Sequence, residues 1–422
     1  MKRGILLFLS FIVSVHAFSQ QSINQLILKK DYLSVKESLL QQQAPVLSGD
    51  QFAIYSAVLL NAFGNADSSM QILSRLERID GIKDDTLAYL YYKTVYDNYI
   101  KLFEYKKAFD AGTALLQRYP QFIDPGDLED EKEALKIWQM VQNIPPQKIL
   151  QPDKTNIHFT KDKANLWNLP VANKDSSYDF VFDSGAGIST ITDTYAGLLG
   201  LKYINNATVS IRSGITGIPT RAKMAYAESL RIGDIEITNS LFLVFPDTAL
   251  SFANGAYNIN GIIGFPVIKE MGTLNFSENE LEVTRSRREN DPAPNLAMDE
   301  LKPVIYLSYK GGLLPFTFDF GAQSTMFSDV FYRSFKSDFQ TNCVDTVLRV
   351  GGTSGEKVMQ VVKCPMLELK CNNAVIKLTD AIVSKDTLST NADIYYGNIG
   401  QDVIGQFKTM IIDFKQSYVK FE

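Results

Sequence analysis

The chain has 422 residues, of which 45% are hydrophobic and 21% are charged, and its formal net charge is −5. This length allows two or three domains that each bury a core, and the balanced charge argues against nucleic acid or an anionic membrane as a partner. With only two histidines, His16 and His158, a multi-histidine metal site is excluded, and we expect no cofactor.

The start of the chain has the pattern of a secretory signal peptide. Lys2 and Arg3 precede the apolar run GILLFLSFIVSV, and Val15 and Ala17 occupy the small-residue positions of a cleavage site, with Ser19 as an alternative last residue. The run is short for a membrane span, and no later segment is continuously apolar for ~20 residues. We therefore expect export and no membrane span.

The next region, residues 20–149, has helical periodicity. Apolar residues recur at three- and four-residue spacing in SINQLILKKDYLSVKESLL, DQFAIYSAVLLNAFG, SSMQILSRL, TLAYLYYKTVYDNYIKLF and KKAFDAGTALLQRYP. Tyr105, Ala108 and Pro120 have the spacing of a tetratricopeptide repeat, whereas the earlier segments match it weakly. A tetratricopeptide-like array and a plain helical bundle both stay open. The sequence IPPQ then ends the helices.

From about Thr155 the periodicity changes to that of strands separated by Gly-, Asn- and Ser-rich turns. The charged, proline-containing segment Arg285–Asn295 is interpreted as a linker between two β-rich halves. His158 lies in the short alternating segment TNIHFT, where a structural or surface role is expected.

The three cysteines lie in the last fifth of the chain. Export permits one disulfide, from Cys364 to Cys371 or from Cys343 to either of them, with one thiol left free, and buried free cysteines are the alternative.

The two β-rich halves repeat the same landmarks in the same order. FVFDSGAGISTIT corresponds to FTFDFGAQSTMFS, which places Asp183 and Asp319 136 residues apart, and GIIGFPVI corresponds to GNIGQDVI at the same offset. GITG and GTSG, and the closing segments LNFSENELEV and IDFKQSYVKF, correspond at an offset of 138. We interpret this pattern as a duplicated domain.

In each half an apolar strand leads to an Asp that is followed by X-Gly-Ala. The glycine allows a tight turn, and alanine adds little bulk where another segment approaches. A glycine-containing hairpin follows and could act as a mobile flap. Two such halves can bring two carboxylates together on a pseudo-twofold axis.

With these motifs the chain resembles the aspartic proteases, in their retropepsin-like form, from about Thr155 to Glu422. Asp183-Ser184-Gly185-Ala186 is a full match to the Asp-Ser/Thr-Gly-Ala motif. The resemblance implies an all-β bilobal acid-protease-like domain with both lobes in one chain, and it follows the all-α helical-hairpin domain that the periodicity predicts. It also implies a bacterial periplasmic or extracellular peptidase that acts on peptides or proteins.

The resemblance assigns roles to individual positions. Asp183 and Asp319 are the implied catalytic dyad, which would share a proton and activate a water. The supporting residues are Ser184, Gly185, Ala186, Phe320, Gly321 and Ala322. The flap residues are Gly214, Ile215, Thr216, Gly217, Gly352, Thr353, Ser354 and Gly355, and the structural residues are Ile263, Gly264, Ile399 and Gly400.

The second half departs from the family pattern at two positions. Phe320 stands where the family has a Thr or Ser whose hydroxyl bonds across to the other lobe, and Asn398 replaces an apolar residue. The alternative hypothesis is therefore a catalytically impaired module that binds peptides or protein partners. If the missing hydroxyl limits the dyad, Phe320→Thr should raise activity. A kinase interpretation of Asp319-Phe320-Gly321 fails because no His-Arg-Asp loop is present.

The sequence thus predicts four segments. They are a signal peptide at residues 1–19, a helical region at 20–149, a first protease-like lobe at 155–288 and a second at 298–422. Helical repeats commonly form interaction surfaces, so a protein partner of the helical region is also expected.

Overall fold

The computed structural model describes residues 23–40, 47–76, 82–212, 219–252, 255–285, 293–352, 355–387 and 394–422. The predicted signal peptide lies outside these residues. In the part of the chain that the structure describes, no helix is both long enough and apolar enough to cross a membrane.

The predicted order, a helical region followed by a β-rich region, is confirmed. Residues 23–28 are helical. The further helices of this region are α1 (Tyr32–Leu40), α2 (Gly49–Ala62), α3 (Ala66–Leu73), α4 (Asp85–Lys101), α5 (Tyr105–Arg118) and α6 (Pro125–Val141). Tyr105 and Ala108 are buried in this helical core, and the tetratricopeptide-like spacing stays a prediction.

Helix α6 was not among the five segments with helical periodicity. Six of the seven residues from 127 to 133 are charged, and its buried residues, Ile137, Trp138 and Val141, are confined to its last turns. The start signal was present, because the Asp124 side chain accepts the Gly126 N–H and Pro125 occupies the first turn. The apolar stripe of this helix is therefore too short to be recognised by its periodicity in the sequence.

The β-rich region contains 24 strands among the described residues. They are β1 (Lys148–Leu150), β2 (Lys154–His158), β3 (Thr160–Lys161), β4 (Trp167–Ala172), β5 (Ser177–Phe182), β6 (Ser189–Thr192), β7 (Lys202–Arg212), β8 (Pro219–Ile232), β9 (Ile235–Phe245), β10 (Ser251–Phe252), β11 (Tyr257–Asn258), β12 (Gly261–Ile263), β13 (Thr273–Ser277), β14 (Glu280–Thr284), β15 (Leu296–Asp299), β16 (Lys302–Tyr309), β17 (Gly312–Phe318), β18 (Met326–Phe327), β19 (Val344–Gly352), β20 (Gly355–Cys371), β21 (Ala374–Ser384), β22 (Gly397–Ile399), β23 (Thr409–Asp413) and β24 (Tyr418–Phe421). The short helices of this region are α7 (Asp193–Leu198), α8 (Phe265–Ile268), α9 (Asp329–Ser334) and α10 (Gln401–Ile404).

Two large sheets divide this region along the sequence. The first runs β1-β9-β6-β12-β5-β4-β8-β7, with β3 beside β4, and the second runs β15-β16-β17-β22-β18-β21-β20-β19. Strand β1 pairs with β9, so Lys148 and Ile149, assigned to the helical region from the sequence, belong to the first sheet. The proline pair that ends the helices therefore leads directly into a strand.

A third sheet joins the two halves and was not predicted. Its order is β2-β14-β13-β23-β24, so three strands come from the first half and two from the second. Leu274 on β13 lies opposite Ile412 on β23, and these are equivalent residues at the 138-residue offset. An antiparallel pair with equivalent residues opposite each other has a local twofold axis between its strands. This sheet fixes the two halves relative to one another.

Three smaller expectations have clear outcomes. Cys343 and Cys364 form the disulfide, and the free thiol of Cys371 is buried, which raises its pKa to about 12.

His158 is a surface residue whose Nδ1 lies 3.1 Å from Glu280 Oε1. Asn295, assigned to the linker, belongs to the second half, because its buried side chain bonds the Val419 backbone in both directions.

The helical region packs against both halves. The Lys30 ammonium donates to Asp299 Oδ1 over 2.6 Å, and the Tyr306 hydroxyl donates to the Lys30 carbonyl, also over 2.6 Å. Lys101 and Lys269 are buried at the same boundary, where the Lys269 ammonium donates to the Lys101 carbonyl over 2.9 Å. Removing one partner of such a buried pair would leave an uncompensated buried charge and would destabilise this boundary.

Candidate active site

The two predicted catalytic aspartates occupy equivalent places in the two halves. Asp183 follows β5, and Asp319 follows β17. In each half a short strand runs parallel to the strand that ends at the aspartate, β12 beside β5 and β22 beside β17. The Asp183 N–H donates to the Ile263 carbonyl over 3.0 Å, and the Asp319 N–H donates to the Ile399 carbonyl over 2.9 Å. The structural Ile-Gly pairs of the sequence prediction thus anchor the two aspartates.

The glycines of the motif bring the two carboxyls together. Gly185 N–H donates to Asp183 Oδ1 over 2.7 Å, and Gly321 N–H donates to Asp319 Oδ1 over 2.8 Å. Each glycine also lies against the aspartate of the opposite half: a Cβ on Gly185 would lie 2.7 Å from Asp319 Cγ, and one on Gly321 would lie 2.3 Å from Asp183 Cγ. Only glycine leaves room for this crossed contact.

The glycine of each Ile-Gly element lies equally close to the backbone of the motif alanine. A Cβ on Gly264 would lie 2.6 Å from the Ala186 carbonyl oxygen, and one on Gly400 would lie 2.8 Å from the Ala322 carbonyl oxygen. The backbone after each aspartate therefore runs directly over the Ile-Gly element, and glycine at positions 264 and 400 is a steric requirement of the fold.

The surroundings of the dyad favour a shared proton. Burial raises the pKa of Asp183 well above its ordinary value, and the adjacent Asp319 charge and a hydrogen bond with the Asp319 carboxyl raise it further. The backbone N–H groups of Gly185 and Ala186 oppose this shift. Two carboxyls in such contact hold one proton between them over a wide pH range.

This pKa shift predicts how folding stability depends on pH. Because the pKa of Asp183 is raised on folding, the folded chain keeps a proton that the unfolded chain releases. Stability is therefore lost as the pH rises from the ordinary aspartate range through the raised folded value. Asp183→Asn removes this loss, so its free energy of unfolding should exceed that of the wild type at pH 8 and approach it near pH 3.5. Urea unfolding at both pH values measures the difference. An equal or lower stability of the variant at pH 8 would contradict the assignment.

Ser184 links the two halves behind the dyad. Its buried hydroxyl donates to the Phe318 carbonyl over 2.8 Å and accepts the Phe320 N–H over 3.0 Å. The hydroxyl thus reaches the strand and loop that carry Asp319, as the resemblance to the aspartic proteases implied.

Phe320 fills the core at the place where the family has a hydroxyl. Its ring is fully buried and lies 5.2 Å from that of Phe318, 5.6 Å from Phe276, 5.7 Å from Trp167 and 6.0 Å from Phe182, between centroids. Aromatic packing across the two halves therefore takes the place of the second hydroxyl bridge.

Phe320→Thr should consequently destabilise the protein and should not raise activity. Removing the ring leaves a cavity among four aromatic residues, which costs about 3 kcal/mol of unfolding free energy. Urea unfolding of the variant measures this cost, with Phe52→Thr as the control, because Phe52 is an exposed phenylalanine on α2. A variant as stable as the wild type, with faster peptide cleavage, would restore the interpretation that the missing hydroxyl limits the dyad.

Two side chains of the site were missed by the sequence interpretation. Asn398 Nδ2 donates to Asp319 Oδ2 over 3.0 Å, and Gln401 Nε2 donates to the Phe320 carbonyl over 2.6 Å. At the offset of 136 they correspond to Ile262 and Phe265. An amide in place of an apolar residue was therefore the sequence signal that could have identified these two side chains as part of the site. The sequence interpretation treated Asn398 only as a lost apolar contact.

The predicted flaps are described in part. Gly214 to Gly217 lie outside the described residues, but the flanking strands β7 and β8 pair up to Arg212 and Pro219. In the second half β19 and β20 pair up to Gly352 and Gly355, and the two residues between them, Thr353 and Ser354, lie outside the described part. A pair of antiparallel strands therefore flanks each predicted flap position.

No group of three or more histidine, cysteine, aspartate or glutamate side chains in the described ranges could hold a metal ion.

Comparison with known proteins supports the aspartic-protease interpretation for the first half. Residues 169–267 match the family model described as "Aspartyl protease", which is less than a quarter of the chain. The matched segment contains the Asp183 loop, β7 to β9 and the Ile263-Gly264 element. No curated protein matches the chain.

Among solved structures the chain is similar to the crystal structure of a retropepsin-like aspartic protease from Rickettsia conorii. The identity is 17%, the alignment covers 32% of this chain and 92% of the other chain, and the TM-score is 0.23.

Proposed function

We propose that the β-rich part of the chain is an exported aspartic endopeptidase that hydrolyses peptide bonds with Asp183, Asp319 and an activated water. The observation that carries this proposal is the crossed contact in which each aspartate carboxyl lies on the glycine of the opposite half. The family match of residues 169–267 and the raised pKa of Asp183 support it.

The proposed chemistry needs only the two carboxyls and one water. The ionised aspartate takes a proton from the water, whose oxygen bonds to the scissile carbonyl carbon, while the protonated aspartate donates its proton to the carbonyl oxygen. In the second step the C–N bond breaks, the leaving nitrogen takes a proton from the first aspartate, and a hydroxyl of the intermediate returns a proton to the second. The dyad is then in its starting state.

The pH profile of this reaction should be bell-shaped. Cleavage requires one proton on the dyad, so activity is lost at low pH when both carboxyls are protonated and at high pH when both are ionised. Because the pKa of Asp183 is raised, the alkaline limb should lie well above the ordinary aspartate range.

Export and a peptide or protein substrate belong to the same proposal. The Cys343–Cys364 disulfide favours an oxidising compartment, in line with the signal-like start of the sequence. A protein partner of the helical region stays a prediction.

A peptide-cleavage experiment tests the proposal. The full exported chain is incubated with a broad peptide library between pH 3 and 8, and the products are sequenced by mass spectrometry. We expect internal cleavage that is inhibited by hydroxyl-containing transition-state analogues and is insensitive to serine and cysteine alkylating reagents. Added hydroxylamine should yield no hydroxamate, because water attacks directly and no acyl-enzyme forms.

The same experiment separates the endopeptidase from the alternative, a module that only binds peptides. Binding of library peptides without cleavage at any pH in this range would favour the binding module. Trapping of a hydroxamate would instead indicate a nucleophilic mechanism.

A further inference from the structure

The two halves differ in the side chain that the short strand beside each aspartate presents at the dyad. Strand β22 carries Asn398, whose Nδ2 donates to Asp319 Oδ2 over 3.0 Å. The equivalent residue on β12 is Ile262, whose aliphatic side chain cannot donate a hydrogen bond to Asp183. The two Oδ1 atoms, in contrast, accept the N–H of their own motif glycine in the same way.

Asn398 is itself held in a fixed orientation. The Thr317 hydroxyl donates to Asn398 Oδ1 over 2.5 Å and also lies 3.3 Å from the Gly397 carbonyl oxygen. Because the amide oxygen accepts from Thr317, the amide nitrogen is the atom that points at the Asp319 carboxyl. The equivalent of Thr317 in the first half is Val181, so the amide and the hydroxyl that orients it are both restricted to the second half.

We propose that Asn398 is a positioning residue that assigns the roles within the dyad, so that Asp319 is the ionised general base and Asp183 carries the shared proton. The Asn398 amide can only donate to Asp319 Oδ2, and a donor stabilises a carboxylate more than a carboxylic acid. A hydrogen bond to a charged group is strong enough to bias the proton toward Asp183 by at least about tenfold.

The backbone N–H groups of Gly185 and Ala186 favour the ionised form of Asp183 and oppose this bias, but burial and the adjacent Asp319 charge raise the pKa of Asp183 more than these donors lower it. Asp183 is the titratable group in contact with Asp319, whereas Asn398 and Thr317 are neutral at every pH of interest. The direction in which the pKa of Asp183 is shifted also agrees with a proton on that residue. As a statement about catalysis, the inference rests on the proposed function, but the position of the proton does not depend on turnover.

Carboxyl carbon NMR of the full chain tests the inference without requiring cleavage. The chain is labelled with [γ-13C]aspartate and titrated from pH 3 to 9, and the two resonances are assigned by their loss in Asp183→Asn and Asp319→Asn. Where the dyad holds one proton, we expect a carboxylate shift for Asp319 and a carboxylic-acid shift for Asp183. The reverse order would overturn the inference.

The variant Asn398→Ile places in the second half the residue found in the first. We expect the two resonances to converge toward intermediate shifts, because the proton is then shared more evenly. Asn156→Ile, the same replacement at an exposed position of β2, is the matched control and should leave both resonances unchanged. An unaltered distribution of the proton in Asn398→Ile would contradict the inference.

Thr317→Val is a second variant that keeps Asn398 and removes only the hydroxyl that orients it. The two carboxyl resonances should converge less in this variant than in Asn398→Ile. If Asn398→Ile fails to fold, Thr317→Val is the variant that tests the inference. In a cleavage assay, Asn398→Ile should lower kcat about twofold with KM unchanged, because the share of the singly protonated dyad that has Asp319 ionised falls from about nine tenths to about one half. Absence of cleavage in the wild type, combined with the expected NMR shifts, would overturn the peptidase and leave the proton assignment standing.

Discussion

Asp183→Asn and Asp319→Asn are each expected to lower kcat for peptide cleavage by roughly 10³-fold or more. The two carboxyls act as one unit in which one group must be ionised and the other protonated, and an amide can do neither. Because each side chain of the pair is needed in the same step, the double variant should lose little more activity than either single variant.

The contacts of the dyad support a specific effect on chemistry. Asparagine has nearly the same size as aspartate, so the crossed contacts with Gly185 and Gly321 are retained. KM should therefore change much less than kcat, which a titration of cleavage rate against peptide concentration measures.

Asp179→Asn is the matched control for these variants. Asp179 lies on the same strand, β5, four residues before Asp183, and it is exposed. It should keep wild-type kcat and KM. Substantial cleavage by either dyad variant, with a folded protein, would contradict the assignment of Asp183 and Asp319 as the catalytic pair.

The dyad could be predicted from sequence because its signal is local and repeated. An Asp-X-Gly-Ala motif after an apolar strand, followed by an Ile-Gly pair, recurs at a constant offset, and steric contacts require each of its glycines. The roles of Asn398 and Gln401 could not be derived in the same way. Their donors reach atoms about 80 residues away along the chain, and no spacing in the sequence specifies such a contact.

The sheet shared by the two halves could not be predicted from the sequence for a similar reason. The closing segments of both halves were identified as equivalent, and each forms a hairpin, β13–β14 and β23–β24. Their pairing through β13 and β23 depends on which apolar edge meets which in the folded protein. Periodicity predicts strands and their buried faces but does not specify the partner of an edge strand.

The two predicted flap hairpins are restrained by different means. In the first half, helix α6 contacts the edge strand β7, where Glu133 Oε2 accepts the Ser210 N–H over 3.0 Å and Asp130 Oδ1 accepts from Arg212 Nε over 2.8 Å. In the second half, the disulfide between Cys343 and Cys364 joins the hairpin β19–β20 at its base. The helical region therefore holds one flap strand, and a covalent link holds the other hairpin.

Gly321→Ala and Gly185→Ala are expected to lower kcat by roughly 10²-fold or more, because they force the two carboxyls apart. An added Cβ at Gly321 would lie 2.4 Å from Asp183 Oδ1, and one at Gly185 would lie 2.7 Å from Asp319 Oδ1, both far inside van der Waals contact. Neither glycine has a positive φ, so the effect comes from the contact and not from backbone strain.

Gly187→Ala is the matched control, since it adds the same methyl group to the same loop where the nearest atom is Leu301 Cβ at 3.8 Å. Its kcat and KM should stay close to those of the wild type, and urea unfolding should show that all three variants are folded. The larger loss is expected for Gly321→Ala, because its contact is the shorter one and falls on Asp183, the partner that carries the proton. Wild-type activity of Gly321→Ala would mean that the carboxyls work at a greater separation than the folded chain shows, and that the crossed contact is not the catalytic arrangement.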